Sequence, residues 1–184
     1  LPVCFFNQKE RMMFTKIDLC SMALLKLGEQ PIQTLYDDTA PSKLARTLYE
    51  PIVDALLAIY PWHFATAHLE LTRNTDGDFI IPTNVLRIIK TDGKIVGNKI
   101  VANQDKISID AIVKTDAENF PSYFVALVAT RLAMEFCIPL SGDQNVFRML
   151  IALYETELQS AKFIDSTTCA SGTISNFSLI DSRF

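Results

Sequence analysis

The sequence predicts a mainly α-helical protein: a helix bundle with a small antiparallel β meander inserted into it and an extended C-terminal tail. Three observations predict this class. Apolar residues recur at helical spacing from Ile17 to Leu71. The period changes from helical to strand-like between Phe79 and Val113, and helical spacing returns after Pro121. The stretch from Ile17 to Leu71 organises the rest, with Tyr60-Pro61-Trp62-His63-Phe64-Ala65 at its heart around the only tryptophan.

In chain order, Thr15-Lys16-Ile17-Asp18 reads as a capping box, in which Asp18 takes the place usually held by Glu or Gln. Ile17, Cys20, Leu24 and Leu27 mark one helix face, and Gly28 stops the helix near residue 27. After a connector through Gln30-Pro31-Ile32, one of Asp37, Asp38 and Thr39 caps a second helix with Pro41 in its first turn. Leu44, Leu48, Ile52, Leu56 and Ile59 form its apolar face, opposite Lys43, Arg46, Glu50 and Asp54. Pro51 removes a backbone donor inside this run and is expected to kink or split it, and Pro61 ends it. Trp62, Phe64, Ala67, His68 and Leu71 predict a short third helix packed beneath.

Asn74–Asp78 reads as a turn. The β region of about 79–113 follows, with turn signals at Asp92-Gly93, Gly97-Asn98 and Asn103-Gln104-Asp105. In its last strand Ile107, Ile109, Ala111 and Val113 share a side. After Pro121 a wide apolar stripe runs through Phe124, Leu127, Val128, Leu132 and Phe136 to a break at Pro139. Ser141-Gly142-Asp143 opens a last helix, carried by Phe147, Leu150, Ile151, Tyr154, Leu158 and Ala161 to about Ile164. The chain thus divides into an N-terminal arm or non-native extension (1–12), a single domain (13–165, helices about 15–73 and 120–165) and a tail (166–184).

With 184 residues, 49% hydrophobic and 21% charged, the chain is long and apolar enough for a folded core. A net charge of −4 and a pI of about 5.2 argue against sequence-independent gripping of nucleic acid, which needs a basic face. No apolar run is read as reaching the ~18–20 residues of a membrane span. Cys4, Cys20, Cys137 and Cys169 show no C-x-x-C spacing. Cys20 and Cys137 fall in apolar helical patterns, as buried thiols of a reducing cytoplasm do.

Signals for chemistry are sparse. His63 and His68 are five apart, whereas a helical metal pair prefers i,i+4, so no metal site is expected. Asp37-Asp38 reads as capping rather than an acid pair, and Asp76-Gly77-Asp78 lacks the ligand series of a calcium loop. Trp62 and Phe64 read as a core plug in preference to a partner-binding patch. Asn176-Phe177-Ser178 matches a glycosylation sequon by chance. The tail carries apolar anchors, Ile174, Phe177, Leu179, Ile180 and Phe184, along with Arg183, a composition suited to ordering on a partner by strand addition or by filling pockets.

Residues 17–71 resemble the head-to-tail adaptor family of tailed phages, the tail tubular protein A type, which also occurs in gene transfer agents. The matching residues are Ile17-Asp18-Leu19-Cys20-Ser21-Met22-Ala23-Leu24, then Leu27-Gly28-Glu29, Pro31-Ile32, Leu48-Tyr49-Glu50-Pro51-Ile52-Val53-Asp54-Ala55-Leu56-Leu57 and Tyr60-Pro61-Trp62-His63-Phe64-Ala65. Weaker pieces, Ile81-Pro82, Gly97-Asn98-Lys99-Ile100 and Asn119-Phe120-Pro121, extend the likeness to about residues 13–165. The resemblance makes Leu27, Gly28, Glu29, Pro51, Pro61, Trp62 and Phe64 a structural signature. It implies a virion structural protein without catalytic residues, metal or cofactor. Such a protein is made in the host bacterial cytoplasm and forms a ring, typically a dodecamer, at the head–tail junction. The ring joins the portal protein to the downstream tail, stopper or nozzle protein. It lines a channel that DNA passes non-specifically, without a membrane. In the family the C-terminal segment often docks on the portal, so the tail from Ile174 to Phe184 is expected to do so here. The competing readings are a monomeric protein-binding module and a hydrolase built on Asp37, Asp38 or His63.

Overall fold

The computed structural model describes residues 13–75 and 77–169. Helix α1 (Lys16–Lys26) starts at the expected capping box: the Thr15 hydroxyl accepts from the Asp18 N–H, and the Asp18 carboxylate accepts from the Thr15 N–H at 2.8 Å. It closes in a Schellman motif. The Glu29 N–H reaches the Leu24 carbonyl at 3.0 Å and the Gly28 N–H reaches Leu25 at 3.1 Å. Gly28 supplies the left-handed residue this needs, at φ +77°.

Helix α2 (Ala40–Ile59) is capped by Thr39, and the two aspartates before it are not the cap. Pro51 does not split it; the helix runs through. The buried face is broader than the expected stripe and rotated from it. It comprises Ala45, Tyr49, Ile52, Val53, Leu56 and Leu57, while Ile59 is exposed. Pro61 then ends the helical stretch, and Trp62 leads into a single 3-10 turn, His63–Ala65.

The short third helix expected from Trp62 to Leu71 does not exist, and the first helical part ends at residue 59 and not 73. Thr66–Thr72 is strand β1, because Ala67, Leu69 and Leu71 alternate with exposed Thr66, His68, Glu70 and Thr72. The β region therefore begins at 66. It continues through β2 (Phe79–Ile80), β3 (Val85–Thr91), β4 (Lys94–Val96), β5 (Lys99–Val101) and β6 (Lys106–Val113).

These strands form two three-stranded antiparallel sheets in the orders β1-β6-β3 and β2-β5-β4, so the path is not one continuous meander. Gly97-Asn98 makes the expected two-residue turn, with Val96 paired to Lys99 across it. Asp92-Gly93 does not make a hairpin, since the strands on either side belong to different sheets. Gly93 is there because of a close approach: a Cβ would lie 2.4 Å from the Ile100 side chain. Strand β6 joins two cores. Ile107, Ile109 and Ala111 pack with Phe79, Ile81 and Ile100, while Ile112 on the opposite face enters the helical core.

Helix α3 (Ser122–Leu140) packs against α1, α2 and α4 (Gln144–Cys169) and is buried on nearly all sides. Pro139 sits in its last turn. By length and composition α3 would reach across a membrane, which corrects the expectation that no run does. It is the core helix of the bundle, with 61% of its apolar window buried within the chain. Helix α4 opens at Asp143, whose carboxylate accepts from the Asn145 and Val146 N–H groups at 2.8 and 3.3 Å. It runs to Cys169, beyond the expected end near 164, so residues 166–169 belong to a helix and not to an extended tail.

Candidate interaction surfaces

The signature residues divide between closing α1, joining α2 to α3, and, for Pro51, the exposed side of α2. Trp62 is fully buried, and its indole N–H donates to the Leu56 carbonyl at 2.8 Å, tying the Pro-Trp turn to the last turn of α2. Its ring meets Tyr60 and Phe124 edge-on at 4.8 and 5.2 Å, and Phe64 meets Phe124 at 4.9 Å and Phe120 at 6.0 Å. Trp62 is therefore a plug, and no partner reaches its ring. Pro51 is exposed on the outside of α2, while Leu27, Gly28 and Glu29 close α1 as described above.

The residue that the sequence reading passed over is Asp165. Its side chain is 1% exposed and accepts from the Tyr123 hydroxyl at 2.7 Å and from the His63 N–H at 3.0 and 3.2 Å. One carboxylate on α4 thus fixes both the aromatic turn and α3. Another cross-link is Lys26 on α1, which donates to the Thr130 hydroxyl of α3 at 2.7 Å and lies 3.5 Å from Glu157 of α4. At the junction with the sheets, Glu50 pairs with Lys16 and with Lys114, and Lys114 also reaches Asp54 at 3.1 Å. The hydrogen bonds from Lys114 and Lys16 hold the Glu50 carboxyl below its usual range; those to Glu50 and Asp54 raise the Lys114 ammonium above its own.

The candidate chemical groups are not brought together. His63 lies in the 3-10 turn. His68 lies on β1, where its Nδ1 is 2.7 Å from Asp110 at a small hollow that Lys90, Asp92 and Ser108 also line. Asp38 pairs with Lys43, and the open groove beside Asp37 is lined by Gln30, Pro31, Ile32, Gln33, Thr39 and Pro41, with no histidine. Among the described residues no three His, Cys, Asp or Glu side chains cluster in a way that could hold a metal ion. Asp78 serves its turn, bonded through its N–H to Asn74 and through its carboxylate to Lys99 at 3.0 Å; Asp76 lies outside the described residues. Cys20 and Cys137 are buried free thiols, and burial pushes the Cys20 thiol up to about 12. The tail residues Ile174, Phe177, Leu179, Ile180, Arg183 and Phe184, and the sequon at Asn176, also lie outside the described residues.

What the described surface does offer is exposed apolar area. Ile80, Val96 and Val101 share the outer face of the β2-β5-β4 sheet. Leu48, Ile52, Leu56 and Ile59 of α2 line an open groove of about 550 Å³ towards Tyr154 of α4. Met149, Leu153, Phe163 and Ile164 stand out from α4 itself, in a spacing that the sequence already carries but that the inward-facing residues overshadow. No protein-family model matches the chain and no curated protein matches it.

Proposed function

We propose that this chain is a structural connector of a phage or gene-transfer-agent particle. It forms a ring between the portal protein and the tail, lines the DNA exit channel, and carries out no catalysis. The observation that supports the reading is the placement of the signature. Of the residues that carry the resemblance, Leu27-Gly28-Glu29 close α1 and Pro61-Trp62-His63-Phe64 tie the end of α2 to α3 and α4, while Pro51 stands exposed on α2 outside this framework. A β region sits between α2 and α3, as the resemblance implies. An acidic balance of −4 also suits a conduit, where a grip on phosphates would slow passage.

The test is co-purification with a portal protein from the same genome. The connector reading expects a complex with many copies of the chain per portal. A chain that ignores the portal but captures a different single protein would instead make it a monomeric binding module.

A further inference from the structure

Helices α2 and α4 both pack on α3 and leave a trough of about 550 Å³ open between them. Leu48, Ile52, Leu56 and Ile59 of α2 form one wall, Tyr154 of α4 the other, and Arg131 and Glu135 of α3 the floor. The rim is apolar and open to water: Ile59 is 47% exposed, and Pro51 and Ala55 are exposed beside it. Lys162 of α4 lies 5.8 Å from the Tyr60 ring and Asp165 holds the His63 N–H, so α2 and α4 finish at the same end of the trough. The chain leaves α4 there, at Cys169, one turn past Asp165. Tyr123 at the start of α3 also meets Asp165, so Arg131 and then Glu135 lie successively farther from that exit.

We propose that residues 170–184 turn back at Ser171-Gly172 and lie along this trough of their own chain as an extended strand. The lengths match. At about 1.5 Å per helical residue, Tyr154 is roughly 22 Å back from Cys169. At ~3.3 Å per extended residue, a strand entering the trough at Ile174 reaches that level at about residue 181, within the residues that follow Cys169. Phe177 then lies beside Ile59, Leu179 beside Ala55 and Leu56, and Asp181 beside Arg131.

The side chains agree with this occupant. Alternate residues of a strand share a face, which puts Phe177, Leu179, Asp181 and Arg183 on one side and Asn176, Ser178 and Ser182 on the other, with Ile180 at the rim. The first face brings two apolar groups to the apolar wall and two charges to the charged floor, in the matching order. Asp181 meets Arg131 first, and Arg183 meets Glu135 next. Two residues along a strand advance about 6.6 Å and four along a helix about 6 Å, so both pairs close together. Arg131 and Glu135 are themselves 2.6 Å apart, and the tail extends that pair to an alternating row of four charges. Because the segment is tethered, docking is intramolecular at an effective concentration of about 1 mM, and a contact too weak to join two separate molecules suffices. The inference concerns the chain by itself and does not rest on the connector reading.

Disulfide trapping in the full chain tests this, with Cys4 and Cys169 replaced by Ser and the buried Cys20 and Cys137 retained. Ala55→Cys together with Leu179→Cys is expected to close a disulfide within one chain, to the same extent over roughly a hundred-fold dilution. Leu153 is exposed on the outer face of α4, beside Tyr154 in sequence and within equal reach of the tail. Leu153→Cys is expected to link to Leu179→Cys about ten-fold more slowly or less. The exchange Asp181→Arg with Arg183→Asp leaves every helix untouched and is expected to slow the Ala55→Cys link several-fold. No link at Ala55→Cys, equal linking at Leu153→Cys, or a rate indifferent to the charge exchange would each overturn the docking. So would links formed only between chains and rising with concentration, which would put the tail in a neighbour's trough.

Discussion

Trp62 is the largest fully buried side chain among the described residues. It is buried without residue, bonded to the end of α2, and ringed by Tyr60, Phe64, Tyr123 and Phe124. Trp62→Ala should therefore destabilise the chain by about 3–5 kcal/mol in urea unfolding. A loss below about 1 kcal/mol would contradict the plug. Its burial was legible because a lone tryptophan between a proline stop and an apolar helix has few other places to go. Asp165 was not legible. Its donors come from Tyr123 and His63, 42 and 102 residues away, and a local pattern holds no trace of such pairings. In the sequence it stands where Ser and Thr begin to accumulate, which reads as the end of a helix.

At the scale of elements, caps and turns with a local chemical cause were readable. The Thr15–Asp18 box, the Gly28 stop, a helix start with Pro41 in its first turn and the Gly97-Asn98 turn each rest on residues within a few positions of one another, though the sequence left the cap open among Asp37, Asp38 and Thr39. Elements whose form depends on distant partners were not. Thr66–Thr72 is short and follows an aromatic cluster that mimics helical spacing; what makes it a strand is its ladder with β6, forty residues on. Gly93 was read as a hairpin residue and is instead a point of close approach. Gly93→Ala would press a methyl against Ile100 and should cost about 1–3 kcal/mol, read as a lowered urea midpoint. Pro51 gives the opposite expectation. It sits exposed in an unbroken helix without an N–H to offer, so Pro51→Ala should raise stability by up to about 3 kcal/mol. A loss would mean that the ring of Pro51 fills a need that its exposed position does not reveal.

At the scale of the whole molecule, the helical and β halves meet across β6 and across the Lys16–Glu50–Lys114–Asp54 cluster. Glu50 has its pKa lowered by Lys114 and Lys16, so its contribution is present above the ordinary value of 4.5 and is lost as the pH falls through the depressed folded value. Lys114 has its pKa raised, so its contribution is present below the ordinary 10.5 and is lost as the pH rises through the elevated folded value. The cluster is intact between the two. Because these side chains are about two-fifths exposed, water screens them, and Lys114→Met should cost no more than about 1 kcal/mol near neutrality. The same substitution should flatten the loss of urea midpoint on acidification, and an unchanged acid slope would remove the cluster from the account.

We propose that this framework of helices forms one segment of a ring on a portal. The decisive experiment is electron microscopy of the purified chain mixed with a portal protein from the same genome, using the full chain beside one that ends at Cys169. Ending the second chain there leaves Asp165 and all of α4 in place. A ring seated on the portal with the full chain is the predicted result; its loss with the shorter chain would make residues 170–184 the docking arm, and its survival would move the contact to the helices. Portals bare of density with both chains would contradict the connector reading.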